Sequence, residues 1–168
     1  MVVHDLDAAL RLAGFTLAHG AGSVETGETL CTLAFVQTSE GRKLFRFEAA
    51  TIPESIEQGR QFLPHQMQEG DLAALAFDGY ATLDDGSRTD ALCVEVTQAV
   101  QFDLVTLGHV VQPYRSATRR LGRFGRTSGF EVLGDPSVEG RLDVDTAHDL
   151  IREGFLEHPS AARLLPGR

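Results

Sequence analysis

The chain has no Asn and a single Lys, Lys43, against fourteen Arg. Lys and Asn have A-rich codons, so this imbalance reads as the coding habit of a GC-rich bacterial genome rather than as a functional signal. Cysteine is nearly absent too. With only Cys31 and Cys93 and no secretory signal, a disulfide framework is not expected. No stretch approaches the roughly 20 apolar residues of a membrane span. The opening "MVVHDLDAAL" lacks the basic-then-apolar order of a signal peptide. Low-complexity tracts are missing, and 42% of residues are apolar, which excludes a disordered chain. A length of 168 residues suits one domain that buries roughly 70% of its unfolded surface. The expectation is a soluble, cytoplasmic single domain over residues 1–168, with no membrane role.

Motif-based enzyme classes are equally absent. There is no Walker A loop, G-x-G-x-x-G fingerprint, C-x-x-C pair or H-E-x-x-H. Residues 19–22, "HGAG", resemble the backbone oxyanion hole of lipases and esterases. No G-x-S-x-G elbow accompanies them, and a histidine with glycines closing a helix explains them better. These absences leave open whether the protein is an enzyme.

What is present is a strong and uneven charge. The net charge is −9, which favours solubility and opposes general nucleic-acid binding. Yet residues 115–126, "RSATRRLGRFGR", hold five arginines and no acid, so the remainder of the chain carries −14.

Apolar spacing supplies the elements. Leu6, Ala9, Leu10, Ala13 and Leu17 recur as in a helix over 5–18, capped by Asp5 or Asp7 and ended by Gly20 and Gly22. "TLCTLAFVQTSEGRKLFRFEA" reads as a hairpin. A three-residue loop Ser39-Glu40-Gly41 would set Phe35 opposite Phe45 and Leu33 opposite Phe47, gathering four large apolar groups on one face. Thr51, Pro53 and Glu54 start a second helix with a capping box, whose buried stripe is Ile52, Ile56, Gly59 and Leu63 before Pro64. A second hairpin spans 75–96. "QFDLVTLGHVVQPY" is a long strand ended by Pro113, "GFEVLG" a short one, and residues 144–157 a last helix. The order is α-ββ-α-ββ-β-β-α. It predicts an α+β fold of two layers, a mostly antiparallel sheet of about six strands covered by three helices. The string "LAF" recurs in both hairpins, which ordinary hairpin chemistry explains without an internal repeat.

Three groups of side chains are candidates for chemistry. In the second hairpin a two-residue turn at Asp85-Gly86 would put Asp78 opposite Cys93 with Glu95 diagonal to Asp78. A three-residue loop Asp84-Asp85-Gly86 would instead pair Tyr80 with Asp90 and bring Asp78 diagonal to Asp90. Asp78, Asp90 and Glu95 are thus candidate metal ligands for Mg²⁺ or Mn²⁺, or an acid and base pair. The competing account is a solvated strand face or a charge-protected edge. Gly79, inside the strand, signals a bulge or close approach.

Arg115, Arg119, Arg120, Arg123 and Arg126 form the second group, suited to a phosphate-bearing ligand or an acidic partner surface. That partner can be another protein or a second copy of the chain. Phe124 is the one aromatic within the run, which gives little support for stacking along a nucleic-acid strand. The histidines, the third group, are scattered. His109 in "LGHVV" reads as a hydrogen-bonded core residue. Asp145, His148 and Asp149 share a helix face that could form a weak metal site, but the row continues through Glu153 and Glu157, and a solvated face is the simpler account. Cys31 and Cys93 read as buried strand thiols.

The leading functional expectation is a binding domain that joins a protein partner, or itself, through the Arg-rich loop. The alternative is a metal-dependent enzyme acting on a phosphorylated small molecule.

Overall fold

A computed structural model describes residues 4–116, 118–119, 127–128 and 130–164. The architecture is α+β, with a curled antiparallel sheet and three principal helices. Helix α1 spans Leu6–Val24, and strands β1 (Thr32–Thr38) and β2 (Gly41–Phe47) form the first hairpin. Helix α2 (Ile52–Phe62) runs into a 3₁₀ turn at Leu63–His65. Strands β3 (Leu72–Thr82), β4 (Arg88–Val100) and β5 (Asp103–Arg115) then make an antiparallel meander. A two-stranded ribbon, β6 (Thr118–Arg119) with β7 (Thr127–Ser128), follows. Strands β8 (Glu131–Val132) and β9 (Ser137–Gly140) both return to β5, before α3 (Ala147–Glu157) and the short α4 (Ala161–Leu164). The main sheet runs β2-β1-β3-β4-β5-β8, with β9 also on β5.

Both faces of the sheet are partly covered. Leu33 and Phe35 of β1, Ala74 and Ala76 of β3, and Val94 and Val96 of β4 pack with α1 and α3. The alternate residues Ala34, Val36, Ala73 and Leu75 face the other way, onto α2 and Leu63. A period of two sends each neighbour to the opposite face. A strand buried on both faces therefore reads as a continuous apolar run, as "TLAFV" and "LAALAF" do.

This double burial explains why the first hairpin differs from expectation. Its turn has two residues, Ser39 and Glu40, and pairs Thr38 with Gly41. Phe35 therefore opposes Leu44, and Phe45 opposes Ala34. Collecting four apolar groups on one face favours a register only where the other face is wet. Here Phe35 packs edge-on to Phe15 at 5.1 Å, while Phe45 and Phe47 meet Phe62 of α2 at 5.0 and 5.5 Å.

Caps behave as their side chains dictate. Asp5 accepts from the Ala8 amide at 3.0 Å, and Thr51 from the Glu54 amide at 3.3 Å. Helix α1 does not stop at Gly20 but continues to Val24. Its glycines are packing sites: a Cβ on Gly20 would sit 3.4 Å from Leu92 Cδ2, and one on Gly14 only 1.9 Å from the Ile151 carbonyl oxygen. Gly154 of α3 presses on the Arg11 carbonyl as closely. The missing side chains let α1 and α3 cross nearly backbone to backbone. In α2, Ile52 is exposed rather than part of the buried stripe, and Ser55 is buried instead, 2.6 Å from Thr32 Oγ1.

The β3–β4 hairpin takes the three-residue loop, with Tyr80 opposite Asp90 and Leu83 N–H donating to the Ser87 carbonyl at 2.8 Å. Gly86, at φ +83°, supplies the left-handed residue this loop needs. Strand β5 passes through Pro113 to Arg115 rather than ending there. Pro113 falls between the stretch paired with β9 and the stretch paired with β8, where an absent N–H is tolerated. The β4–β5 hairpin turns at Gln101 and Phe102, both non-glycine residues at positive φ (+50° and +72°).

Candidate functional site

The second hairpin's register separates its acids. Asp78 and Asp90 are diagonal neighbours on the face that carries α1, whereas Glu95 projects from the opposite face with Leu75 and His109 beside it. The three expected ligands thus belong to two clusters. Among the described residues no three His, Cys, Asp or Glu side chains are grouped as a metal would require.

The first cluster closes one end of the sheet. Tyr114 Oη donates to Asp78 Oδ1 at 3.0 Å, and Ser116 Oγ to Asp90 Oδ2 at 2.6 Å. Burial raises the Asp78 carboxyl above its ordinary value, assisted by the nearby Asp90 charge and opposed by the Tyr114 hydrogen bond. Burial and then the Asp78 charge likewise raise the Tyr114 phenol. Tyr114 itself is buried against Phe130. Each carboxylate thus has a hydroxyl donor, the ordinary condition of a half-buried acid.

Outside this pair lies an open cavity of about 430 Å³ lined by Tyr80, Arg88, Thr89, Asp90, Arg115 and Ser116. The Arg88 guanidinium lies over the Tyr80 ring, 4.0 Å from its centre, and Tyr80 is 63% exposed. Arg115 reaches Glu131 at 2.9 Å in an exposed pair. From Arg115 the chain enters the Arg-rich segment. Arg119 lies on β6, while Arg120, Arg123 and Arg126 lie outside the described residues.

The second cluster stands on the face of α2. Glu95 is only 8% exposed. It accepts two bonds from Arg60, Nε to Oε1 at 3.2 Å and an Nη to Oε2 at 2.8 Å, and has His109 Nε2 at 3.2 Å from Oε2. Burial acts to raise its pKa, but the hydrogen bonds and charge of Arg60, followed by those of His109, outweigh it and hold the carboxyl below its ordinary value. His109 is thus a half-exposed partner of Glu95 rather than the core histidine expected of "LGHVV". Below the cluster, a groove of about 420 Å³ is lined by Leu63, Pro64, Leu75, Thr97, Leu104 and Thr106, together with Arg60, Glu95 and Asp103. Thr97 is 6% exposed, and its buried hydroxyl has no partner among the described residues.

Arg60, Tyr114, Ser116 and Thr97 were not singled out by sequence reasoning. One signal did exist. Glu95 in "CVEVT" and His109 in "LGHVV" each interrupt an apolar strand, and a buried charge requires a partner; two such interruptions on adjacent strands can satisfy each other.

The remaining candidates have local explanations. "HGAG" lies wholly within α1, and His19 Nδ1 meets His158 Nε2 at 3.1 Å. His148 Nε2 bonds the Pro136 carbonyl at 2.8 Å, on an exposed face with Asp145 and Asp149. No family model matches the chain, and no curated protein or solved structure matches it either.

Proposed function

We propose that the protein is a binding domain whose arginine-bearing end docks on an acidic protein surface. The observation that carries this reading is the exposed Tyr80–Arg88 stack, which shares a cavity with Arg115 at the root of the Arg-rich segment. Tyr and Arg are the side chains most enriched where binding energy concentrates, because each offers a large contact area with a polar tip. A guanidinium stacked on a ring is held in one orientation and loses less freedom on binding. The inward hydroxyl donors to Asp78 and Asp90 support the same reading. They occupy the two carboxylates within the fold, so the cavity's guanidinium groups pair elsewhere at the exposed rim, Arg88 on the Tyr80 ring and Arg115 with Glu131.

The test is retention on immobilised poly-glutamate, a notable behaviour for a chain of net charge −9. The wild type is expected to bind at low salt and to elute as salt screens the contact. Replacing Tyr80 and Arg88 with Ala, and separately Arg119, Arg120 and Arg123 with Ala, is expected to abolish retention. Equal elution of all three proteins would overturn the reading.

A further inference from the structure

We infer that the acidic surface met by the arginine-bearing end is a groove on a second copy of this chain, so that the protein self-associates head to tail. The inference rests on the binding reading above and names the surface that receives it.

The groove beneath Glu95 does not stop at Leu104. A neighbouring cavity of about 350 Å³ is lined by Pro64, Met67, Gln68, Glu69, Ala99, Phe102, Asp103 and Leu104. The two cavities share Pro64, Asp103 and Leu104. One trough therefore runs from Arg60 and Glu95, past Thr97, to the tip of the β4–β5 hairpin.

Apolar and polar residues share its walls, and its net charge is negative. Arg60 and Glu95 neutralise each other at one end, which leaves Glu69 and Asp103 as the uncompensated charges among its lining residues. Phe102 stands at its end, fully exposed, with a backbone conformation (φ +72°) that bulky side chains rarely adopt. A large apolar side chain held both out of the core and in an unfavourable turn is the kind of local inconsistency found at functional positions. Midway along the trough, between Glu95 and Ala99 on β4, is the Thr97 hydroxyl, which has no partner among the described residues. An occupant that suits this trough carries positive charge and one or two large apolar side chains. Residues 119–126, "RRLGRFGR", have that composition, with Leu121 and Phe124 among four arginines.

Chain length requires that a side chain of this segment packed against Phe102 come from another copy. Phe102 and Arg115 mark opposite ends of β5, about 40 Å apart at roughly 3.3 Å per residue. Phe124 is seven residues from Glu131, which pairs with Arg115; even fully extended it reaches only about 25 Å from that end. The segment reaches the Glu95 end of its own trough, about 20 Å from Arg115 along β5, but falls short of the Phe102 end. Such a contact joins two different patches, so it is heterologous and builds rings or filaments rather than a two-fold dimer.

The experiment combines two measurements on the intact protein. One is its mass over a concentration series by sedimentation velocity. The other is binding of a fluorescent peptide of residues 115–126, with a control in which Leu121 and Phe124 are Ser. Phe102→Gly is the informative variant, because glycine accepts the turn's positive φ and the fold is not threatened. It is expected to leave the melting temperature within about 2 °C of the wild type's while weakening peptide binding and self-association at least tenfold. Asp103→Lys is expected to weaken both, and the Ser control peptide to bind poorly. If poly-glutamate retention persists but Phe102→Gly and Asp103→Lys bind the peptide as the wild type does, the trough is not the receiving surface and the binding reading stands alone. A protein that remains monomeric throughout the series also overturns the inference. Loss of poly-glutamate retention together with peptide binding would remove both.

Discussion

Replacing Arg60 with Met tests whether the Glu95 cluster is a buried charge network or a surface ornament. Methionine keeps the apolar stem and removes the guanidinium, so Glu95 loses both Arg60 bonds and retains only His109. Breaking a fully buried pair costs about 3–5 kcal/mol, because a charge is left desolvated. Here the Glu95 side chain is 10% exposed but that of Arg60 is 48% exposed, and water can enter the groove. The expected loss is therefore smaller, about 2 kcal/mol. Unfolding entropy of roughly 2.1 cal/mol/K per residue amounts to about 0.35 kcal/mol/K for a chain of this length, so the melting temperature should fall by about 6 °C. The pH dependence gives a second, independent sign. In the wild type Glu95 is held below its ordinary value. Its contribution is therefore present above the unfolded carboxylate range and lost as pH falls through the lower folded value. In the variant, burial acts to raise that value with His109 alone opposing it. The difference between the two proteins should be largest near neutrality and narrow between about pH 5 and pH 3 as Glu95 takes a proton in both. Adding Glu95→Gln to Arg60→Met should restore most of the loss, since the uncompensated charge is then gone. A loss under about 0.5 kcal/mol, or a difference independent of pH, would refute the account and place the pair among ordinary surface bridges. Thermal melts from pH 3 to 8 decide it.

Two further outcomes follow from the packing. Gly154→Ala should cost about 3 kcal/mol or more, read as a lowered urea midpoint, because its Cβ would lie 1.9 Å from the Arg11 carbonyl oxygen and the helices must separate; a midpoint like the wild type's would mean that α1 and α3 do not cross so closely. The Cys93 thiol is pushed up to about 11 by burial and then by the Asp78 charge. At pH 8 its thiolate fraction, and hence its alkylation rate, should be about a hundredfold below that of an ordinary thiol. Mass-spectrometric labelling of Cys93 as fast as a model peptide would contradict this.

The elements were legible in the sequence because their signals are local. Helix spacing, the Thr51 cap with Pro53, and the Gly86 turn act within a few residues, and each is found where its chemistry puts it. The α+β class follows from their order alone. The first hairpin's register was not legible, because the rule used for it assumes one dry face and β1 is buried on both. Glycine misled for a related reason. Gly20 and Gly22 look like helix terminators when read along the chain, but they answer to Leu92 and Ser160, which are distant in sequence.

The candidate sites divide along the same line. That Asp78, Asp90 and Glu95 share a hairpin is a property of the sequence, and so is the crowding of arginines between 115 and 126. Which acids share a face was decided by the loop at Asp84–Gly86, since one residue of slip reverses every side chain. The bond between Arg60 and Glu95, and the trough that joins Thr97 to Phe102, come from α2 settling on the face opposite α1. Charge content and helix and turn signals are local, so the chain alone determined them. The companions of each charge were decided by tertiary structure, because packing brings together residues that the chain keeps 14 to 36 positions apart.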